Sequence, residues 1–236
     1  MRRLLAAIAA LAAASGAPAQ ASQAPKLTIG IVVDQLTPEL LNEYRPHLRG
    51  GLARIAAQPA PAGQKITGQK VVVSGRSSSA SPAATQRWTW NGTGFVSDVG
   101  GPAPRTVPLA NSAVQKLVRA SEPALISPPV CAAKARPGGR KFARAAGDYA
   151  AFSASPSIDG ATLALAAGLI QDLKLGRDAA PDLLTIDLAA TDAVAKTYGS
   201  GSEEMCLDLF SLDRELGDFL RALDGMKLDY AVELNR

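Results

Sequence analysis

Histidine is almost missing from this sequence: His47 is the single one in 236 residues. A site that gathers several imidazoles around a metal is therefore excluded. Aromatic residues reach only 5% and cysteines number two, which describes a domain light in aromatics. Basic residues form no stripe. Lys and Arg total 25 against 21 Asp and Glu, scattered along the chain with a formal net charge of +4, so nucleic acid is not an expected partner. What is present, 47% hydrophobic residues with 21 Gly and 16 Pro, suits one folded core and excludes collagen, coiled coil and wholesale disorder.

The opening stretch MRRLLAAIAALAAASGAPAQA has two arginines, an apolar run from Leu4 to Ala14, a Gly/Pro break and the small-x-small triplet Ala19, Gln20, Ala21. This pattern predicts a signal peptide over 1–21, removed to leave a periplasmic or secreted chain over 22–236. The alternative, a membrane anchor, is too short: that apolar run covers about 16 Å, roughly half a hydrocarbon core. No later run is long and apolar enough to span a bilayer. Export implies an oxidising compartment, where Cys131 and Cys206 are the number one disulfide needs. The alternative is two unrelated buried thiols. A bridge would close a loop of about 75 residues, worth roughly 4 to 4.5 kcal/mol in the chain-entropy model.

Along the mature chain, KLTIGIVVD (26–34) is a β-branched run on both faces, which predicts a buried strand ending in a carboxylate. A helix is expected from Pro38 with Thr37 as its cap, and a short one over 50–58. KVVVS (70–74) is a second buried strand. RWTWNGTGFVS (87–97) reads as a β-hairpin turning tightly at Asn91 and Gly92, with the sequon at Asn91 being that turn. Helical periodicity returns over 109–120, after which 121–139 is irregular. A buried helix is expected from the Ser/Pro start of SPSIDGATLALAAGLIQDLKLG to Gly176. PDLLTIDLAATD (181–192) predicts a third strand ending in a carboxylate, followed by an amphipathic helix over 205–225 and a last strand in LDYAVEL that has to pair inside the sheet. Alternating strands and helices predict an α/β fold, a largely parallel sheet flanked by helices with a small β-hairpin insertion. Ligands in such sheets sit at the carboxyl ends of strands, where Asp34 and Asp192 are expected.

The residues IGIVVDQ, the VVVSG strand, the aromatic hairpin, the SPSIDGATLALAAGLI helix and the block PDLLTIDLAATDAVAKTYGSGSEEMCLDLFSLDRELGDFLRALD together resemble the alkaline phosphatase superfamily. The likeness is to its periplasmic branch with a threonine nucleophile, similar to type I phosphodiesterases and nucleotide pyrophosphatases. It covers almost the whole mature chain outside 56–69. The resemblance implies an alkaline-phosphatase-like fold and a site in which two zinc ions clamp a phosphoryl group and activate a threonine. Within it Asp34 and Asp192 match metal-binding aspartates, Arg76 matches one of two phosphate-contacting cations, and Cys131 and Cys206 fall where some relatives carry a pair.

Departures from the family pattern are specific. Four residues after Asp192, where the family has a metal-binding histidine, stands Lys196, an ammonium with no lone pair to donate. The long segment that carries the nucleophile in a TxxGH context has been replaced by PAPAGQKITG, whose Thr67 lacks that surrounding pattern. Ser78 stands where the second cation would be, and the sequence ends at YAVELNR, where the family continues into an Asp-His-Gly motif. The bland roles are a helix cap for Asp34 and an i, i+4 pair between Asp192 and Lys196. Three functions follow: an exported pseudo-phosphatase that binds a phosphate or other anion, or a partner, near Arg76 and Lys196; a hydrolase of phosphoric esters with one metal on Asp34 and Asp192; or a structural subunit beside an envelope protein. No cofactor is expected, zinc only if the site is functional.

Overall fold

The computed structural model describes residues 24–58, 65–77 and 84–235. The leader expected at 1–21, the start of the PAPAGQKITG connection and Ser78 lie outside the described residues.

The β-branched runs form the predicted strands. They are β1 (Leu27–Val33), β2 (Lys70–Ser74), the hairpin pair β3 (Gln86–Trp90) and β4 (Phe95–Val96), β5 (Asp182–Leu188) and β6 (Tyr230–Asn235). The helices are α1 (Pro38–Tyr44), α2 (Gly51–Ala56), α3 (Thr106–Arg119), α4 (Pro129–Ala132), α5 (Tyr149–Ser153), α6 (Pro156–Asp172), α7 (Ala190–Tyr198) and α8 (Glu203–Gly225). One sheet runs β4-β3-β2-β5-β1-β6, parallel throughout except for β4 against β3. The α/β architecture with a largely parallel sheet and a hairpin is thus the observed one.

Register aligns the apolar residues into rows. Val73, Ile186 and Ile31 stand side by side across β2, β5 and β1, as do Val71, Leu184 and Ile29. All six are fully buried, and α6 lies against β2 and β5. The other face is less covered than a run of branched residues suggests: Thr28, Val32, Leu183 and Thr185 are only half-buried. Where α2 meets α8, Gly50 and Gly51 are required by contact. A Cβ on either would come within 2.3 Å of α8, at the Asp213 carbonyl or the Leu216 Cβ. Asp213 caps α2 across this contact, its Oδ2 accepting from Arg49 N at 2.9 Å and Gly50 N at 2.7 Å.

Local signals held at most boundaries. Thr37 Oγ1 accepts from Leu40 N at the start of α1. The hairpin loop is closed by the Asn91 side chain, whose Oδ1 accepts from Thr93 N and Gly94 N while Gly92 takes φ +98°. Three expectations need correction. The helix expected to run to Gly176 ends at Asp172, and the chain then turns through Lys174 at φ +55° and Gly176 at φ +70°. The third strand stops at Leu188, so Asp192 is not at a strand end but in the first turn of α7. The last strand, β6, pairs with β1 alone and forms an edge of the sheet rather than an interior strand.

Cys131 and Cys206 are joined in a disulfide with a Cα–Cα separation of 5.3 Å, tying α4 to α8 across 75 residues of sequence. The bridge chosen over separate thiols is therefore present.

Candidate functional site

Parallel strands β1, β2 and β5 end together, so the residues just beyond them converge. Asp34 follows β1, Arg76 follows β2 by two residues, Asp187 lies on β5 beside Ser74, and Asp192 enters from the first turn of α7. The two aspartates singled out from the sequence are thus brought to one place, with Arg76 between them.

The guanidinium organises this crevice. Its Nη1 is 2.7 Å from Asp34 Oδ2 and 3.8 Å from Asp192 Oδ2, its Nε donates to Asp187 Oδ1 at 3.1 Å, and its Nη2 donates to the Leu188 carbonyl at 3.0 Å. Ser74 Oγ donates to the second oxygen of Asp187 at 2.9 Å and accepts from the Arg76 backbone N–H at 3.1 Å. Burial pushes the Asp187 carboxyl above the usual carboxylate range, and Arg76 and the Ser74 hydroxyl oppose the rise. At the rim Lys196 Nζ donates to Asp192 Oδ2 at 2.7 Å, the i, i+4 pair already suggested by spacing, with Lys196 itself mostly exposed. Three carboxylates thus face two cations.

The remaining sequence candidates lie elsewhere. Thr67 precedes β2 at the amino end of the sheet, where Gly68 N donates to the Pro181 carbonyl and Gln69 N to Asp182 Oδ1. The length of β2, about 16 Å at 3.3 Å per residue, separates it from Ser74. It is therefore out of reach as a nucleophile here. His47 is exposed in a single 3-10 turn, Arg45–His47, and pairs with none of the three carboxylates.

Sequence reasoning missed Asp187, Ser74 and, beneath α7, two buried acids. Asp159 on α6 accepts from the backbone N–H groups of Ala189 and Ala190 at 2.8 and 3.1 Å, capping α7, and Asp208 on α8 accepts from the Thr191 hydroxyl at 3.0 Å. The available signal was composition: a charged residue inside TIDL or inside the otherwise apolar α6 is costly to bury unless it is bonded.

The zinc site that the resemblance implies does not fit these residues. Among the described residues no group of three or more His, Cys, Asp or Glu side chains is placed to hold a metal ion. The carboxylates are directed at a guanidinium, and no imidazole is near.

A parallel α/β sheet with a charged crevice at its strand ends defines the class, and comparisons with known proteins narrow it. No family model matches the sequence. Alkaline phosphatase PhoK from Sphingomonas sp is 28% identical, matching 91% of this chain and 55% of its own length. Alkaline phosphatase PhoD from Zymomonas mobilis is 36% identical, over 63% of this chain and 28% of its own. The crystal structure of alkaline phosphatase PafA superposes with a TM-score of 0.73 at 19% identity, covering 91% of this chain and 62% of that one. The chain is thus similar in sequence to alkaline phosphatases and shares the fold of one, and it spans about half the length, or less, of these curated relatives. The PhoK match runs over 308 residues, more than this whole 236-residue chain, so the relative carries interior residues with no counterpart here.

Proposed function

We propose that this chain is an exported protein on the alkaline phosphatase fold that hydrolyses no phosphate ester and serves a binding or structural role. The observation that carries this reading is Arg76 lying between Asp34 and Asp192, bonded to Asp34 and Asp187, at the carboxyl ends of the strands. A cation held there by carboxylates leaves a phosphoryl group with neither an open metal nor a nucleophile, the two things such chemistry needs. Ser74, the hydroxyl closest in the sheet to this centre, is fully buried and bonded to Asp187. The interior residues missing relative to PhoK, the short connection over 57–69 and the exposed position of Thr67 support the same conclusion.

The geometry favours a partner over an anion as the thing bound. All three nitrogens of Arg76 already have oxygen partners, so a phosphate would have to displace a carboxylate. Export rests on the leader pattern and on the Cys131–Cys206 disulfide, which persists in oxidising compartments. Among the described residues no helix is long and apolar enough to cross a membrane.

The test is turnover of an aryl phosphate monoester and an aryl phosphodiester, alongside elemental analysis of the purified chain. We expect no turnover above buffer and zinc well below one ion per chain. Turnover that needs added Zn²⁺ or Mg²⁺ and disappears in Asp192→Ala would establish the reduced-site hydrolase instead. Recovery from the native envelope as a lone monomer, without a crosslinked partner, would count against the structural role.

A further inference from the structure

We infer that Arg76 is a tethered counter-cation that makes the crevice independent of metal ions, holding together the ends of β1, β2 and β5 and the start of α7. The inference rests on the reading above and deepens it.

Asp34, Asp187 and Asp192 come from three different elements, β1, β5 and α7, and all three reach one side chain that leaves β2. Carboxylates gathered at strand ends repel one another unless a cation sits among them. A guanidinium suits the task because its planar fork can bond several oxygens at once and its charge is permanent at any physiological pH. The fork is used this way here: Nη1 serves Asp34 and Asp192, Nε serves Asp187, and Nη2 ties the Leu188 carbonyl at the end of β5. The backbone N–H of Arg76 bonds Ser74 Oγ, which bonds Asp187, so the side chain's own anchor belongs to the same network.

A consequence follows for the class of cation the site would take without its arginine. The donors are oxygens only, those of the three carboxylates and the Leu188 carbonyl, a hard set that suits Mg²⁺, Ca²⁺ or Mn²⁺, whereas zinc is served by imidazole and thiolate. Removing Arg76 should therefore uncover an affinity for hard divalent ions that the native chain lacks.

Thermal melting of the full chain, in EDTA and in millimolar Mn²⁺, tests this. The native chain should melt at the same temperature in both. Arg76→Ala should melt lower in EDTA, by about 5–10 °C for a chain of this size. Mn²⁺ should recover at least half of that loss, saturably, and adding Asp34→Asn to Arg76→Ala should abolish the recovery. If Arg76→Ala yields no folded protein in EDTA, refolding with and without Mn²⁺ gives the readout, the soluble yield rising with the ion. Equilibrium dialysis should show Mn²⁺ bound roughly tenfold more tightly by the variant, a difference of about 1.4 kcal/mol. The inference is overturned if the native chain is destabilised by EDTA, if it gains as much from Mn²⁺ as the variant does, or if Mn²⁺ leaves the variant unchanged. None of these outcomes depends on turnover, so the loss of catalysis and the role of Arg76 stand or fall separately.

Discussion

Two groups of carboxylates meet at the start of α7, and the protein neutralises them by opposite means. At the strand ends Asp34, Asp187 and Asp192 are balanced by Arg76 and Lys196. Beneath the helix, Asp159 on α6 and Asp208 on α8 are buried, and Glu215, farther along α8 and against Gly160 of α6, is half-buried. One oxygen of each, Asp159 Oδ2, Asp208 Oδ1 and Glu215 Oε2, has no hydrogen-bond partner among the described residues. The nearest cation to Glu215 is Arg214 at 4.0 Å. Burial pushes Asp159 up to about 7, against the pull of the Ala190 and Ala189 N–H groups, and Glu215 up to about 8, with Asp159 and Asp208 adding to the rise. Asp208 is raised as well, by burial first and by Asp159 second. The comparison teaches that burial raises an acid's proton affinity in this fold, a rise that Arg76 and the Ser74 hydroxyl oppose at Asp187 through direct bonds and that no bonded cation opposes at Asp159 or Asp208.

The largest effect that would break this contrast is the dependence of stability on pH. In the folded chain Asp159 and Glu215 hold protons up to about 7 and 8, whereas the unfolded chain releases them near 4. Between those limits the folded state binds more protons than the unfolded one, so stability falls as pH rises. Each tenfold difference in proton affinity between the folded and unfolded chain is worth about 1.4 kcal/mol, so the loss from pH 5 to pH 9 is on the order of several kcal/mol. Asp224 acts in the opposite sense: Arg54 and the Tyr230 hydroxyl hold it down at about 2, and that exposed group's small contribution is lost only in strong acid. Urea unfolding should therefore give its highest midpoint in weak acid and a lower one at pH 9, with Glu215→Gln flattening the slope. A midpoint that climbs steadily to pH 9 would mean that the buried group is ionised.

The two groups were not equally legible in the sequence. Asp34 ends a run of branched residues, so parallel-sheet logic placed it at the carboxyl end of a strand, and the family resemblance added Arg76 after the next strand. What that logic could not give was their pairing. Arg76 and Asp187 are separated by 111 residues and are joined only by the register of β2 on β5. Arg76 was expected to contact phosphate because its position matches a phosphate-contacting cation of the family that the sequence resembles, and only the fold revealed the acceptors on it. Asp192 was misplaced by the apolar continuity of TIDLAA, which hides the point where strand becomes helix. The Asp159 carboxylate defines that point, and its cap on Ala189 and Ala190 comes from 30 residues upstream. Buried acids of this kind escape periodicity altogether, since α6 is largely apolar and Asp159, near its start, looks like an exception.

A smaller effect sharpens the comparison from the buried side. Thr191→Val keeps the shape of the first turn of α7 and removes the hydroxyl that donates to Asp208. One buried hydrogen bond to a carboxyl is lost, costing about 1–2 kcal/mol. The hydroxyl also favours the ionised form of Asp208, so its loss should leave the proton there held more firmly. The variant should therefore be less stable than the native chain at every pH, with the deficit growing toward pH 9. An unchanged urea midpoint would show that Asp208 does not rely on α7.

The smallest effect belongs to Lys196, and its smallness is what separates it from Arg76. Both are cations on Asp192, yet Lys196 reaches it from one turn along the same helix with most of its side chain in water. Such an exposed i, i+4 pair contributes about 0.3–0.5 kcal/mol, is screened by salt, and connects no two elements of the fold. Lys196→Ala should therefore shift the urea midpoint barely beyond error, and 0.5 M NaCl should erase the difference. It should also leave the response to EDTA and Mn²⁺ as it is in the native chain, because the guanidinium still lies among the carboxylates. A loss above about 1 kcal/mol, or a new response to Mn²⁺, would mean that the ammonium shares the balancing of the crevice and that the charge centre comprises two side chains.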